Sequence, residues 1–163
     1  MRFNVDEILE LALAIERTGE AFYRQAESRF QQPKLRETFR FLALEEVAHE
    51  RTFAEMLARV GRLDASESRG EEYVAYLRAY VENVVFSQQK ALDMLQTAES
   101  AEAVLRFAMQ REQDSIHFYL ELKELVPEAE RGVLERILDE ERAHYRKLSA
   151  LVSELSGQGA AAD

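Results

Sequence analysis

Apolar residues recur along the chain at intervals of three and four, which is the spacing of one face of an α-helix, and strand-like alternation is nearly absent. Only two prolines and six glycines interrupt this pattern. The chain is therefore predicted to be almost wholly helical. Two helix pairs are indicated, one at about residues 4–30 and 33–60 and the other at about residues 100–125 and 127–155.

Local signals mark the ends of these helices. Asn4 and Glu7 have the spacing of a capping box, which predicts that the first helix begins at Asn4. Pro33 and Pro127 suit the first turn of the helices that they open. Gly61 is expected to end the second helix.

A long connection joins the two pairs. Residues 62–70 are polar and predicted to form a loop, and residues 71–96 carry apolar positions at helical spacing, with a break expected near Ser87. Residues 157–163 are predicted to be a flexible tail. Residues 1–156 are thus predicted to form a single all-α domain, a four-helix bundle of two αα-hairpins with a long helical crossover.

One short pattern occurs in both helix pairs. Glu46 precedes His49 by three residues, and Glu141 precedes His144 in the same way. Residues three apart on a helix are separated by about 60° in rotation and about 4.5 Å along the axis. Each pattern therefore directs a carboxylate and an imidazole towards the same point.

A lone glutamate precedes each of these patterns at nearly the same distance. Glu16 lies 30 residues before Glu46, and Glu112 lies 29 residues before Glu141. A helical hairpin of this length brings such positions opposite each other, so accidental spacing is disfavoured.

The two halves also repeat around these glutamates. Laying Phe22-Tyr23 on Phe118-Tyr119 aligns the halves with an offset of 96, and the Glu-x-x-His pattern repeats at 95. Two copies of one hairpin imply a pseudo-twofold bundle in which related ligands converge from opposite sides.

Buried carboxylates are costly unless they are paired or bind metal, and apolar residues surround both Glu-x-x-His patterns. Four glutamates and two neutral histidines carry a charge of −4, which two divalent cations would cancel. The sequence therefore predicts a dinuclear metal site, against the alternative of a charged face in solvent. Its predicted ligands are Glu16, Glu46, His49, Glu112, Glu141 and His144.

Two tyrosines are expected to support this site. Tyr23 and Tyr119 each follow a lone glutamate by seven residues, which places them on the same helix face two turns along. Their hydroxyls are predicted to hydrogen-bond ligating carboxylates from the opposite helix and to fix their orientation. The alternative is an ordinary core aromatic whose hydroxyl finds any buried acceptor.

Other polar residues near the ligands are assigned to the surface. Glu20 lies one turn beyond Glu16 and is a candidate extra carboxylate, although a surface position is favoured. Glu45, Glu50 and Glu140 are expected to face solvent or pair with arginines, and His117 is expected to point away from the site, so these four residues are left out of the ligand set.

The composition of the chain limits which metal ligands it can offer and which partners it can bind. The chain has no cysteine, so any metal must use oxygen and nitrogen ligands. The net charge of −10 disfavours a nucleic-acid partner. No apolar run approaches the ~18 residues of a membrane span, and no secretion signal is evident, so a cytoplasmic protein without membrane contact is expected.

With both Glu-x-x-His patterns and both lone glutamates in place, the chain resembles the rubrerythrin-like branch of the ferritin-like superfamily over about residues 5–155. The resemblance implies a ferritin-like bundle that holds two iron ions per site, for which manganese or zinc are alternatives. It implies that Glu46 and Glu141 bridge the two irons, that Glu16 and His49 complete one iron's shell, and that Glu112 and His144 complete the other's.

The chain departs from that family in one respect. Full rubrerythrins carry a cysteine-ligated rubredoxin iron in an extra domain, whereas this chain has no cysteine. A peroxidase activity would therefore need an external electron donor such as a rubredoxin-like protein. Bacterioferritin has similar ligands, but the segment between Gly61 and Ser100 is longer here and the helices are shorter, which favours the rubrerythrin-like branch.

The resemblance predicts a di-iron oxidoreductase that reduces hydrogen peroxide or O₂ while cycling between diferrous and diferric states. Two alternatives remain, a ferroxidase that handles iron and a non-catalytic helical adaptor clamped by metal. A homo-oligomer, most simply a dimer, is expected. The long connection also allows helix pairs to be exchanged between protomers.

Overall fold

The structure is a computed structural model that describes residues 5–60, 71–85 and 88–160. These residues form α1 (Val5–Arg29), α2 (Pro33–Val60), α3 (Glu71–Tyr80), a π-helical turn (Val81–Val85), α4 (Gln88–Thr97), α5 (Ala101–Lys123) and α6 (Glu128–Ala160). No strand occurs in the described ranges, and the prediction of an all-α protein is confirmed.

Capping contacts explain where the main helices begin. Pro33 is the first residue of α2, where its missing N–H is not needed. The Ser100 hydroxyl accepts a hydrogen bond from the Ala103 backbone N–H at 3.2 Å and caps α5. Pro127 immediately precedes α6, and its carbonyl accepts a bond from the Glu130 N–H at 2.9 Å.

The long helices pair as two antiparallel hairpins, α1 with α2 and α5 with α6. Two separate apolar clusters hold the hairpins together, one towards each end of the bundle. The first includes Leu9, Phe53, Leu122 and Leu138, and the second includes Ala26, Phe39, Leu105 and Leu148, so each cluster draws a side chain from each of the four long helices. The middle of the bundle between them is left for polar residues.

The connection is helical in its described residues, but it includes a π-helical turn that the apolar pattern of residues 71–96 does not indicate. It consists of α3, the π-helical turn and α4, and the predicted break at Ser87 lies outside the described residues. Leu77 and Val81 are buried in the first apolar cluster, and the Tyr80 hydroxyl donates to the Asp114 carbonyl at 3.3 Å. These contacts anchor the connection against α5.

The last helix continues further than predicted. It extends to Ala160, whereas the pattern of apolar residues places its end near Leu155 and begins a flexible tail at residue 157. A helix that is already formed gains a backbone hydrogen bond with each added residue, so it can extend beyond its last buried position. Asn4, Gly61 and the predicted loop at 62–70 lie outside the described residues.

In the ranges described, every helix is too short or too polar to cross a bilayer.

A pair of leucines on α2 tests this packing. Leu42 is fully buried, whereas 55% of Leu44 is exposed. Leu42→Ala is expected to lower the free energy of unfolding by about 2–5 kcal/mol, because it leaves a cavity in the second apolar cluster. The matched Leu44→Ala change should alter it by less than about 0.5 kcal/mol. Urea unfolding followed by circular dichroism measures both, and equal losses would contradict the assigned faces of α2.

Candidate metal centre

Six ionisable side chains meet in the middle of the bundle, and each is at most 6% exposed. Every long helix contributes: Glu16 comes from α1, Glu112 from α5, and the two Glu-x-x-His patterns from α2 and α6. We call this group the carboxylate–histidine cluster, and its members are Glu16, Glu46, His49, Glu112, Glu141 and His144. A single chain brings all six together.

The cluster divides into two sets of ligand atoms that share one residue. Atoms of Glu16, Glu46, His49 and Glu141 lie within 4.8 Å of one another, and so do atoms of Glu112, Glu141 and His144. Glu141 belongs to both sets, which is the position a carboxylate bridging two ions would occupy, whereas Glu46, the other bridge that the resemblance implies, belongs to the first set alone. Carboxylate oxygens and imidazole nitrogens suit iron, manganese or zinc.

His49 contributes its Nδ1 atom to the first set of ligand atoms. This atom lies 3.1 Å from Glu141 Oε1 and 3.5 Å from Glu16 Oε2. All three atoms are buried, yet none has a hydrogen-bond partner in the described structure. Buried polar atoms are rarely left without a partner. Three of them directed at one point fit a bound cation.

His144 contributes its Nδ1 atom to the second set of ligand atoms. Its Nδ1 atom lies 3.1 Å from Glu141 Oε2 and 3.8 Å from Glu112 Oε2. The two imidazole rings stack with their centroids 5.8 Å apart. The related halves of the chain thus present their histidines side by side, as the internal repeat predicts.

Glu140 faces solvent, as predicted, and Glu45 is half-buried, but each also approaches a histidine of the cluster. Glu140 Oε2 is 2.9 Å from His49 Nε2, and Glu45 Oε2 is 3.7 Å from His144 Nε2. A carboxylate beside Nε2 favours the tautomer whose Nδ1 is free to bind metal. The repeated pattern is therefore Glu-Glu-x-x-His. Its first glutamate, Glu45 or Glu140, is not part of the shorter Glu-x-x-His pattern and was left out of the predicted site for that reason.

Both tyrosine hydroxyls reach the cluster across the bundle. Tyr23 on α1 donates to Glu112 Oε1, and Tyr119 on α5 donates to Glu16 Oε1. Both tyrosines are buried. Each hydroxyl holds a carboxylate of the other hairpin, so the two contacts follow the pseudo-twofold relation between the halves.

Gly19 makes room for one ligand, which the sequence pattern does not indicate. A Cβ atom at this position would lie 2.9 Å from Glu46 Cδ and 3.0 and 3.1 Å from its two oxygens. Real Cβ atoms hardly ever approach another atom so closely. A larger residue would therefore displace the Glu46 carboxylate.

The remaining candidates lie outside the cluster. Glu20 accepts a hydrogen bond from Arg24 Nε at 2.7 Å and is not among the converging atoms. Glu50 pairs with Arg17 at 2.6 Å, which confirms its predicted arginine contact. His117 is exposed, as predicted.

Burial and crowding set the protonation of the cluster in the absence of metal. Burial lowers the pKa of His49, but the nearby carboxylates of Glu141 and Glu16 outweigh this and raise it to about 12. His144 follows the same balance with Glu112 and Glu141, and its pKa rises to about 10. Burial acts to raise the pKa of Glu141, but the two histidines lower it below its usual value.

The pKa values of the Glu46 and Glu112 carboxyl groups are raised. Burial, followed by the charge of Glu16, raises the pKa of Glu46 well above its usual value. Burial and the charge of Glu141 raise the pKa of Glu112 to about 8. Burial and the adjacent carboxylates also raise the pKa values of Tyr23 and Tyr119, so both hydroxyls stay protonated.

A glycine substitution tests the space around Glu46. Gly19→Ala is expected to weaken binding of the first two Fe(II) or Co(II) ions by at least about tenfold, because the new methyl group displaces a ligand. Anaerobic metal titration measures this affinity, and thermal unfolding of the metal-free protein checks the fold. Gly132→Ala is the matched control, since nothing lies within 4 Å of that position. Unchanged metal affinity in Gly19→Ala would contradict the assigned role of Glu46.

Comparisons with known proteins agree with this geometry. The rubrerythrin family model matches residues 7–152. A solved structure of a candidate ferritin-like diiron-carboxylate protein from Thermotoga maritima is 28% identical, with a TM-score of 0.72. The match covers 94% of this chain and 97% of that one. A search of curated proteins returned no match.

The family match spans most of the chain and includes all six members of the carboxylate–histidine cluster. The solved relative shares the fold along nearly its whole length. The resemblance noted in the sequence is thereby confirmed, and the chain belongs to the rubrerythrin family.

Proposed function

We propose that this protein is a di-iron oxidoreductase that reduces hydrogen peroxide or O₂ with electrons from an external donor. The observation that carries this proposal is the pair of buried ligand sets sharing Glu141, with three polar atoms left without hydrogen-bond partners. Two Fe(II) ions bound there would supply two electrons together, which avoids release of one-electron radicals. An external donor and a homodimeric assembly belong to the same proposal.

The cluster supplies the charge and the shape that two divalent ions require. Four carboxylates balance four positive charges, and burial between the apolar clusters excludes bulk water. Tyr23 and Tyr119 hold Glu112 and Glu16 from the opposite hairpin. Glu140 holds the His49 imidazole through a 2.9 Å contact, and Glu45 lies 3.7 Å from His144 Nε2. The protein thereby fixes its ligands before any substrate arrives.

The two tyrosines also keep O–H groups directed at the cluster. Their Oη atoms stay protonated because burial raises both pKa values. Each hydroxyl donates a hydrogen bond to a carboxylate of the cluster. Reduction of one hydrogen peroxide to two waters consumes two electrons, which the external donor supplies, and two protons, which come from solvent.

Metal binding must displace protons from the cluster. Without metal, His49, His144, Glu46 and Glu112 all have pKa values raised above neutrality or well above their usual range. Ligands bind metal only in their deprotonated forms. Metals and protons therefore compete for the same atoms.

Metal affinity is consequently expected to rise with pH. Between pH 6 and pH 8 the histidines are protonated in the metal-free protein, because their pKa values of about 12 and about 10 lie above this range. Each displaced proton contributes about a tenfold gain in apparent affinity per pH unit. Calorimetric titration in buffers of different ionisation enthalpy gives the number of protons released. Binding that releases none would contradict this picture.

Reaction with peroxide tests the proposed activity. Protein loaded anaerobically with two Fe(II) ions per chain is expected to oxidise within the dead time or first second after stopped-flow mixing with hydrogen peroxide, much faster than free Fe(II). Glu141→Gln should abolish this rapid phase because it changes the ligand that both sets share. Glu135→Gln, an exposed residue of α6 that pairs with Lys123, is the matched control and should react as the unmodified protein does.

The same experiment separates the other functions. Oxidation no faster than that of free Fe(II) would remove the peroxidase proposal. Uptake and oxidation of many irons per chain would indicate a ferroxidase that handles iron. Firm binding of zinc without any peroxide reaction would indicate a metal-clamped adaptor.

A further inference from the structure

A groove lies between α5 and α6 of the second hairpin, and no member of the carboxylate–histidine cluster lines it. Its volume is about 500 Å³, within the range of small-molecule sites. Ile116, Leu120 and Tyr145 are among its lining residues, and the surface they help to form is mainly apolar. Leu120 is 43% exposed, so its side chain is accessible to a ligand in the groove.

The internal repeat shows what this surface looks like without a groove. With the offset of 96, Ile116 and Leu120 of α5 correspond to Glu20 and Arg24 of α1. Those two residues form an ion pair at 2.7 Å, one helical turn apart. The second hairpin therefore carries two apolar side chains where the first carries a closed ion pair.

A second ion pair is replaced in the same way. Gln113 corresponds to Arg17, and Tyr145 corresponds to Glu50 with the offset of 95. Arg17 and Glu50 join α1 to α2 at 2.6 Å. In the second hairpin neither partner of this bridge is present, so the space between α5 and α6 stays open.

Two arginines border the apolar lining. Arg142 and Arg146 are four residues apart on α6, so they lie on one helix face. Arg142 pairs with Asp139 at 2.8 Å, but both side chains are at least half exposed, and such a pair is easily exchanged. Arg146 makes no hydrogen bond or ion pair within the part of the chain that is described. The guanidinium group suits phosphate and carboxylate.

The remaining wall is held in place by α3. His117 lines the groove, and its Nε2 atom lies 3.3 Å from the Tyr76 hydroxyl. The Tyr80 ring lies against the same imidazole, with centroids 5.0 Å apart. The groove thus has an aromatic end, an apolar floor and a cationic edge, in a chain whose net charge is −10.

We propose that this groove binds a small organic anion with a flat apolar body that carries a phosphate or carboxylate group. The body packs on Ile116, Leu120 and Tyr145, and the anionic group pairs with Arg142 and Arg146. A flat aromatic body suits the apolar floor and can pack against the tyrosine ring. The proposal does not depend on the identity or the activity of the metal centre.

Probe binding tests this proposal. We expect 1-naphthyl phosphate to bind saturably, with one site per chain by calorimetry, and at least about tenfold more tightly than either 1-naphthol or inorganic phosphate. This difference is expected because only the complete probe uses both the floor and the arginines. A parallel titration with 1-naphthoate shows whether phosphate or carboxylate is preferred. Equal affinity for 1-naphthol, or no saturable binding, would overturn the proposal.

Variants locate the site. Arg146→Gln is expected to weaken 1-naphthyl phosphate binding by about tenfold, the typical effect of losing one charge-assisted contact. Arg51→Gln, at the corresponding position of α2, is the matched control and should leave binding unchanged. Iron content should be the same in both variants. Loss of binding in both, or in neither, would overturn the assignment to this groove.

A double variant tests the floor independently. Ile116→Glu with Leu120→Arg recreates the ion pair of the first hairpin in the favourable order along the helix. Binding of 1-naphthyl phosphate is expected to fall by more than about tenfold, because the floor becomes charged. Circular dichroism confirms the helical fold of this variant. Unchanged binding in a folded double variant would show that the probe sits elsewhere.

Discussion

Burial of six ionisable side chains in the centre of an apolar bundle is the constraint on which the rest of the structure depends. Charged groups without partners are strongly disfavoured in such surroundings. The cluster can persist only if protons or cations neutralise its carboxylates. The raised pKa values of Glu46 and Glu112 show the first solution in the absence of metal, and the three buried atoms around His49 that lack hydrogen-bond partners are placed for the second. A pair of divalent ions would neutralise the carboxylates and coordinate these atoms.

The cluster also joins the two hairpins. The two helices of each hairpin lie close together over much of their length, whereas few backbone positions of one hairpin lie close to the other hairpin. The contacts that cross are side-chain contacts, in which Tyr23 and Tyr119 each reach a glutamate of the other hairpin and each histidine meets the glutamate that precedes the opposite pattern. The residues that shape the candidate metal centre are therefore also residues that hold the halves in register. A change in this layer should affect metal binding and hairpin docking together.

Helical periodicity and the position of Pro33 are local features, and they predict α2 with its observed ends. The ligands of the cluster are also predictable from local features, since spacing along each helix fixes which face carries them. Glu45 and Glu140 were harder to place, because their contacts depend on how closely α2 approaches α6. The role of Gly19 could not be predicted from the sequence for a similar reason. It depends on the distance between position 19 of α1 and the Glu46 side chain of α2. Properties set by a helix alone were predictable, whereas those set by distances between helices were not.

The internal repeat offers a comparison within one molecule. Both halves keep the residues that face the centre, namely the lone glutamate, the Phe-Tyr pair and the Glu-Glu-x-x-His pattern. The outer surfaces differ, because ion pairs close the first hairpin while apolar side chains and arginines open the second. The centre of the bundle thus makes the same demand on both halves, whereas the outer positions between the helices of each hairpin are free to differ. The proposed anion site uses these differing positions of the second hairpin.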